Sequence, residues 1–160
     1  MSTVIGIFND KESARKALEQ IRNAGITDDK ISMVTKGEEK NDMEAGAITD
    51  QNLTDGAAKG GAVGGLAGLG LAAAGISTLA IPGIGAIIAA GPIAAGLTGA
   101  AAGGIAGGLV DMGIPQQRGD YYQDKVKSGK ILAAVEADRN KVDEVSSYLK
   151  DNGAYDVEAH

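Results

Sequence analysis

The sequence contains no cysteine and no tryptophan, and aromatic residues make up only 3% of it. The missing cysteines exclude disulfides, thiolate zinc sites and thiol nucleophiles together, which is typical of proteins from a reducing compartment. Because large rings are scarce, close packing has to rely on small residues that let neighbouring backbones approach each other. Glycine is correspondingly abundant, with 25 residues, which is about twice its usual share.

Positive charge is also in short supply. The chain has 15 Lys and Arg against 21 Asp and Glu, which gives a formal net charge of −6. A protein that binds nucleic acid needs a basic face for the phosphates, and no basic cluster occurs along the chain, so nucleic acid is not an expected partner. The opening "MSTVIGIFNDKE" lacks the basic and long apolar regions of an export signal. We therefore expect a cytoplasmic protein.

Composition divides the chain into four parts. Residues 1–36 and 115–160 are mixed and periodic, and they predict the two halves of one α/β domain, the second half preceded by a connecting helix. Residues 37–55 form a polar linker. Residues 56–114 form a Gly/Ala-rich segment, which is here called the glycine segment. The glycine segment therefore interrupts the α/β domain between its halves.

The first half predicts a strand, a helix and a second strand, written "TVIGIF", "NDKESARKALEQIRNAG" and "KISMVTKG". Asn9 is the expected helix cap, with Glu12 completing a capping box. The apolar residues Ala14, Ala17, Leu18, Ile21 and Ala24 fall at helical spacing on one face. Gly25 is the expected left-handed residue that ends the helix.

The second half repeats this plan at a shift of 128 residues, which superimposes Ile21 on Leu149 and Gly25 on Gly153. Its strands are "KILAAVEA" and "AYDVEA", and its helix is capped by Asp138 or Asn140. The duplication predicts an α+β fold, a ferredoxin-like βαβ-βαβ sandwich with a four-stranded antiparallel sheet under two helices. The stretch "QQRGDYYQDKVKSG" predicts the connecting helix, ending at Gly129.

The glycine segment carries no charge from Gly60 to Val110. This length accommodates two helices of about 20 residues each, and "IPGIG" supplies a turn at Pro82 and Gly83. The segment therefore predicts a helical hairpin inserted into the domain. Pro92 suits the first turn of a helix, which leaves residues 84–90 as an alternative separate short helix.

Glycines recur every four residues in both predicted helices, which makes a flat groove through which helices associate closely. These self-association residues are Gly60, Gly61, Gly64, Gly65 and Gly68 in the first helix, and Gly99, Gly103, Gly104, Gly107 and Gly108 in the second. Three arrangements remain open. The hairpin enters or lies on a membrane while self-associating, it forms the core of a water-soluble oligomer, or it packs against its own α/β domain.

Sequence patterns for catalysis and cofactor binding are weak. "GLGLAA" from Gly68 matches a dinucleotide fingerprint, but no predicted strand precedes it and no βαβ unit surrounds it. His160 is the single histidine and is expected to be frayed at the last position. Tyr121 and Tyr122 are expected to pack one ring on the sheet or at a membrane interface. We predict no catalytic residue, no cofactor and no metal site, and therefore no enzyme.

Three stretches carry a resemblance to a known family: "NDKESARKALEQIRNAG" after the opening strand, "IPGIGAIIAAGPIAAGLTGAAAGG", and "MGIPQQRGDYYQDKVKSGKILAAVEA". They are spread along the chain from residue 9 to residue 137, and they resemble the bacterial general stress protein 17M-like family, whose members are heat- or low-temperature-induced general stress proteins. The resemblance implies a stress-induced, non-enzymatic protein with a split α/β domain. It offers no catalytic residues to transfer to this chain.

The expected function is therefore self-assembly into a homo-oligomer through a glycine-zipper hairpin, in a stress-associated protein that contacts membrane lipid at the inner membrane. The alternative is an oligomeric α/β domain, with the hairpins as oligomer core, that binds a small ligand or acts in regulation.

Overall fold

The computed structural model of the chain describes residues 1–36, 76–81, 85–94 and 104–160. A short 3-10 turn covers Asp28–Lys30. The other elements in chain order are β1 (Ser2–Phe8), α1 (Lys11–Asn23), β2 (Ile31–Lys36), β3 (Ile76–Ile81), β4 (Gly85–Ala90), α2 (Gly104–Asp111), α3 (Gln116–Lys127), β5 (Ile131–Ala137), α4 (Val142–Asp151) and β6 (Tyr155–Ala159).

The strands form one six-stranded sheet in the order β3-β4-β2-β5-β1-β6. Every neighbouring pair is antiparallel, so the predicted α+β class and antiparallel pairing are confirmed. The sheet has six strands where four were predicted, because β3 and β4 of the glycine segment extend it. Four of the strands belong to the two repeated units and lie side by side in the order β2-β5-β1-β6. If each strand of the first unit is exchanged with its counterpart in the second, β1 with β5 and β2 with β6, the same order results, read from the other end. The two repeated βαβ units therefore occupy equivalent positions, with β1 and β5 paired at the centre.

The first unit forms α1 through a cap one residue later than predicted. The carboxylate of Asp10, rather than the amide of Asn9, accepts a hydrogen bond from the Ser13 backbone N–H at 2.8 Å. Asn9 instead accepts a hydrogen bond from Lys130 Nζ at 2.8 Å. An aspartate also interacts favourably with the positive end of the helix dipole, and Gly25 follows the helix with a φ of 86° as predicted.

The second unit departs from prediction at the start of its helix. α4 is preceded by Lys141 without a side-chain cap, so the expected caps at Asp138 and Asn140 are wrong. Lys141 Nζ donates a hydrogen bond of 2.6 Å to the Ala24 carbonyl at the end of α1. A cation suits the carbonyl end of a helix, and this contact ties the two units together. Gly153 ends α4 with a φ of 90°.

The glycine segment differs most from prediction. Residues on both sides of the predicted turn form β3 and β4, which pair continuously from Ile76 with Ala90 to Ile81 with Gly85. The predicted helices are therefore wrong for these residues, as is the alternative short helix over 84–90. β-Branched residues are frequent here and favour strands, and β2 offers β4 a partner along Met33–Lys36. Pro82 and Gly83 lie outside the described residues, as does the linker over 37–55.

Helices cover both faces of the sheet, where two helices on one face were predicted. α1 and α4 lie on one face and bury a cluster that includes Phe8, Leu18 and Leu149. α2 and α3 lie on the other face and bury a second cluster, which contains Ile5, Ile7, Val34, Ile87, Ala89, Ile93, Ala94, Ile105, Leu109, Ile114, Tyr122, Val126, Leu132 and Ala134. The end of the glycine segment therefore supplies part of the second helical layer.

Candidate functional site

The predicted self-association residues fall into two groups. Gly60, Gly61, Gly64, Gly65, Gly68, Gly99 and Gly103 lie outside the described residues. Gly104, Gly107 and Gly108 belong to α2, where Gly108 is buried and the other two are half-buried. Gly104 has a φ of 58°, which lies outside the right-handed helical region. A regular helix therefore begins after this residue, and Gly108 is covered by its own chain.

α2 is held against the sheet by two of its three large apolar residues. Ile105 and Leu109 are both fully buried in the cluster that contains Ile5, Ile7 and Tyr122. At the start of α2 the Ala106 backbone N–H, which has no partner within the helix, donates to Gln123 Oε1 at 3.2 Å. The last turns of the glycine segment are thus built into the α/β domain.

A close contact of small residues joins α2 to α3, within one chain. A Cβ atom placed on Gly119 would lie 3.1 Å from both the Cα and the carbonyl oxygen of Ala106. Such spacing leaves little room for a side chain, so glycine at 119 lets the two helix backbones approach. The packing of part of the glycine segment against its own α/β domain was one of the three arrangements left open by the sequence.

The chain leaves β4 through a tight contact with β2. Gly91 has a φ of 83° and is buried, and its hypothetical Cβ would lie 2.0 Å from the Ile31 carbonyl oxygen. Two residues on, the Ile93 backbone N–H donates to the buried Ser32 Oγ at 3.2 Å. Glycine at 91 therefore allows the glycine segment to fold back onto the sheet at this point.

The two outer strands of the sheet differ in ways that matter for association. β3 is a run of six consecutive pairs with β4, and its sequence "ISTLAI" has no charged residue and no proline. β6 pairs with β1 through a register shift between Ile5 and Ile7, and Asp156 has a left-handed φ of 51°. Charges and irregular backbone are the means by which proteins protect strand edges. β6 carries both, whereas the described β3 carries neither.

A polar cluster lies where α3 meets β6. Arg118 forms an ion pair with Glu158, and its guanidinium carbon lies 4.8 Å from the centre of the Tyr121 ring. Tyr121 donates a hydrogen bond to Asp156, and Lys125 Nζ lies 5.1 Å from the same ring. Each of these four charged groups therefore has a partner within the cluster, an arrangement that ties α3 to the last strand.

Tyr122 is the buried member of this polar cluster. Its ring is fully buried in the cluster beneath α3, and its hydroxyl donates to Glu158 at 3.2 Å. Burial raises the pKa of Tyr122 to about 12. The hydrogen bond from Arg118 favours the ionised form and lowers the pKa, but its effect is smaller than that of burial. We expected one of the two tyrosine rings to pack on the sheet, and Tyr122 does so.

Alkaline titration tests the burial of Tyr122. Because folding raises its pKa from 10.0 to about 12, its contribution to stability is complete below pH 10 and is lost as the pH rises to about 12. We expect the free energy of unfolding to fall by about 2–3 kcal/mol over this range. Urea unfolding at a series of pH values measures this loss. Tyr122→Phe should remove this loss of stability, and Tyr148→Phe, the matched control, should retain it. A fall of equal size in wild type and in Tyr122→Phe would contradict the burial of Tyr122 as its cause.

His160 is ordered against the first strand, so the expectation of a frayed residue is wrong. Its backbone N–H donates to the Thr3 carbonyl and its carbonyl accepts from the Thr3 N–H, both at 2.9 Å. These bonds extend the pairing of β6 with β1. The imidazole Nε2 lies 3.3 Å from Glu158 Oε2, at the border of the polar cluster.

Other signs of a ligand site are faint in the described part of the chain. No group of three or more His, Cys, Asp or Glu residues there is placed to hold a metal ion. An open depression beside the start of α1 is lined by Asp10, Lys11 and Lys36, but the Asp10 carboxylate already occupies the helix N-terminus. None of the helices within the described ranges has the length and apolar character needed to cross a membrane.

Comparison of the chain with protein-family models, with curated proteins and with solved structures finds no match in any of the three. The function is therefore inferred from the sequence and from the arrangement of the described residues.

Proposed function

We propose that the chain is a non-enzymatic, stress-associated protein that self-assembles into a homo-oligomer through its glycine segment. The observation that carries the proposal is the position of this segment at a boundary of the sheet. Part of it forms β3, a regular outer strand without charge, within a run from Gly60 to Val110 that has no charged residue at all. An outer strand that has neither charge nor proline favours pairing with the strand of another copy.

The folded frame of the proposed assembly is a ferredoxin-like sandwich. The order β2-β5-β1-β6 and the joint burial of α1 and α4 on one face support this assignment, because two βαβ units with interleaved strands give that order. The glycine segment would then be an insertion that widens the sheet on the β2 side and covers its second face.

The non-enzymatic part of the proposal is supported by the chemistry of the polar cluster. Arg118, Glu158 and Tyr122 bond to one another, so these groups serve packing between α3 and β6. The association with stress rests on the resemblance of the sequence stretches described above.

The proposal also includes contact with membrane lipid, through the glycine-rich and charge-free part of the glycine segment that lies outside the described residues. Flotation of the full chain with vesicles of neutral and anionic phospholipid tests it separately from assembly. The protein should rise with the vesicles, and its complete retention in the dense fraction would remove lipid from the proposed partners without affecting self-assembly.

Paired substitutions test the role of the glycines in assembly. If the glycine zipper predicted from the sequence mediates assembly, Gly64→Leu with Gly103→Leu should raise the dissociation constant of the oligomer at least about tenfold, because a branched side chain prevents close approach through a stripe of small residues. Light scattering over a dilution series measures this change, and circular dichroism monitors the α/β domain. The matched control is Gly64→Ala with Gly103→Ala, which keeps small residues and should assemble normally. An unchanged oligomer in the leucine pair would refute the role of these glycines.

A further inference from the structure

Among the described residues, the sheet ends in a regular strand on one side and in an irregular, charged strand on the other. β3 presents six residues in continuous register with β4, and β4 is in turn bonded to β2 in the body of the sheet. At the opposite end, β6 has a register shift, a left-handed Asp156 and two acidic residues within five positions. An added strand needs a straight run of backbone groups. β3 supplies such a run, with no strand on its outer side among the described residues, and β6 does not.

We propose that two copies of this chain pair through β3, antiparallel about a twofold axis, and so merge their sheets into one. This inference rests on the proposed self-assembly and names its contact. Antiparallel pairing of a strand with its own copy is self-complementary, so each copy offers the same residues to the other. "ISTLAI" brings no like charges together when it pairs with itself.

Charge favours a second copy at this edge. Each chain carries a net charge of −6, so two chains repel each other over most of their surfaces. β3 lies in the charge-free run from Gly60 to Val110 and at the end of the sheet farthest from Asp156 and Glu158. Approach through β3 therefore keeps these two acidic residues of each copy apart.

The protected β6 limits the size of the assembly. Once β3 is paired, the merged sheet ends in a β6 strand on both sides, and neither offers a regular edge. The pairing therefore closes at two copies, whereas a sheet with two open edges would grow into a filament.

A proline scan across β3 tests the inference. Consecutive residues of a strand direct their N–H groups to opposite edges, so Ser77, Thr78, Leu79 and Ala80 alternate between β4 and the outer edge. Ser77→Pro, Thr78→Pro, Leu79→Pro and Ala80→Pro should therefore fall into two classes with a period of two. One class should lower the melting temperature of the domain. The other should leave it unchanged and raise the dimer dissociation constant at least about tenfold.

The outcomes separate the two proposals. If the variants with an unchanged melting temperature still dimerise like wild type, pairing through β3 is wrong while self-assembly stands. If wild type is monomeric at every concentration, both are wrong. Amide hydrogen exchange of wild type gives a second measurement in case all four variants unfold. Alternate β3 amides should become protected only at high protein concentration, and exchange independent of concentration would overturn the inference.

Discussion

Replacing Gly91 by alanine should destabilise the protein by about 2–5 kcal/mol. Gly91 has a φ of 83°, a conformation that costs a residue with a side chain about 1–2 kcal/mol. The new Cβ would also lie 2.0 Å from the Ile31 carbonyl oxygen and 2.9 Å from the Ser32 Cα. Both atoms belong to the backbone of β2, so the overlap is relieved only if the strand moves. Overpacking of this kind adds about 1–3 kcal/mol.

Gly113→Ala is the matched control for this prediction. Gly113 has a φ of 85°, but among the described residues no atom beyond its chain neighbours lies within 4 Å of its hypothetical Cβ. It should therefore lose only the conformational part, about 1–2 kcal/mol. Urea unfolding of both variants at one protein concentration measures the difference. Equal losses in the two variants would show that the chain after β4 does not pack against β2 in this way.

Truncating Leu109 to alanine should cost about 2–5 kcal/mol, the usual range for a buried leucine that leaves a cavity. Leu109 is fully buried against the sheet in the cluster with Ile5 and Ile7. The neighbouring Val110 is 44% exposed on the same helix, so Val110→Ala should change stability by less than about 0.5 kcal/mol. Thermal and urea unfolding of the two variants compare these losses directly.

The Leu109 variant also discriminates between two positions for the end of the glycine segment. If α2 packs on its own sheet, Leu109→Ala weakens the domain at every protein concentration. If α2 instead belonged to a detached hairpin, the domain would keep its stability and only the oligomer would weaken. The second result would contradict the packing of α2 and α3 on one face.

The α/β halves could be predicted because their signals are local. An apolar face at helical spacing ends in Gly25, and the repeat 128 residues later ends in Gly153; both glycines adopt the expected left-handed backbone. Cap assignment was less successful. Asn9 and Asp10 are both good capping residues, and the choice between them depends on Lys130, which bonds Asn9 from a distant part of the chain.

The glycine segment could not be predicted in the same way. Short apolar runs such as "ISTLAI" and "GAIIAA" fit a strand or a buried helix equally well by periodicity, and the pairing of β4 with β2 decides the outcome. The polar cluster was missed for a related reason. Arg118 and Glu158 are 40 residues apart, and no local pattern joins them. Gly119 within a predicted helix was the one available signal, because such a glycine marks close approach of another backbone.

The mass of the unmodified chain in solution tests most directly whether the glycine segment mediates self-association. Sedimentation equilibrium over a wide range of concentrations should give a mass that rises to twice the 16.0 kDa of one chain and stays there, since closure through β3 stops at two copies. A mass of one chain at every concentration would contradict self-assembly itself.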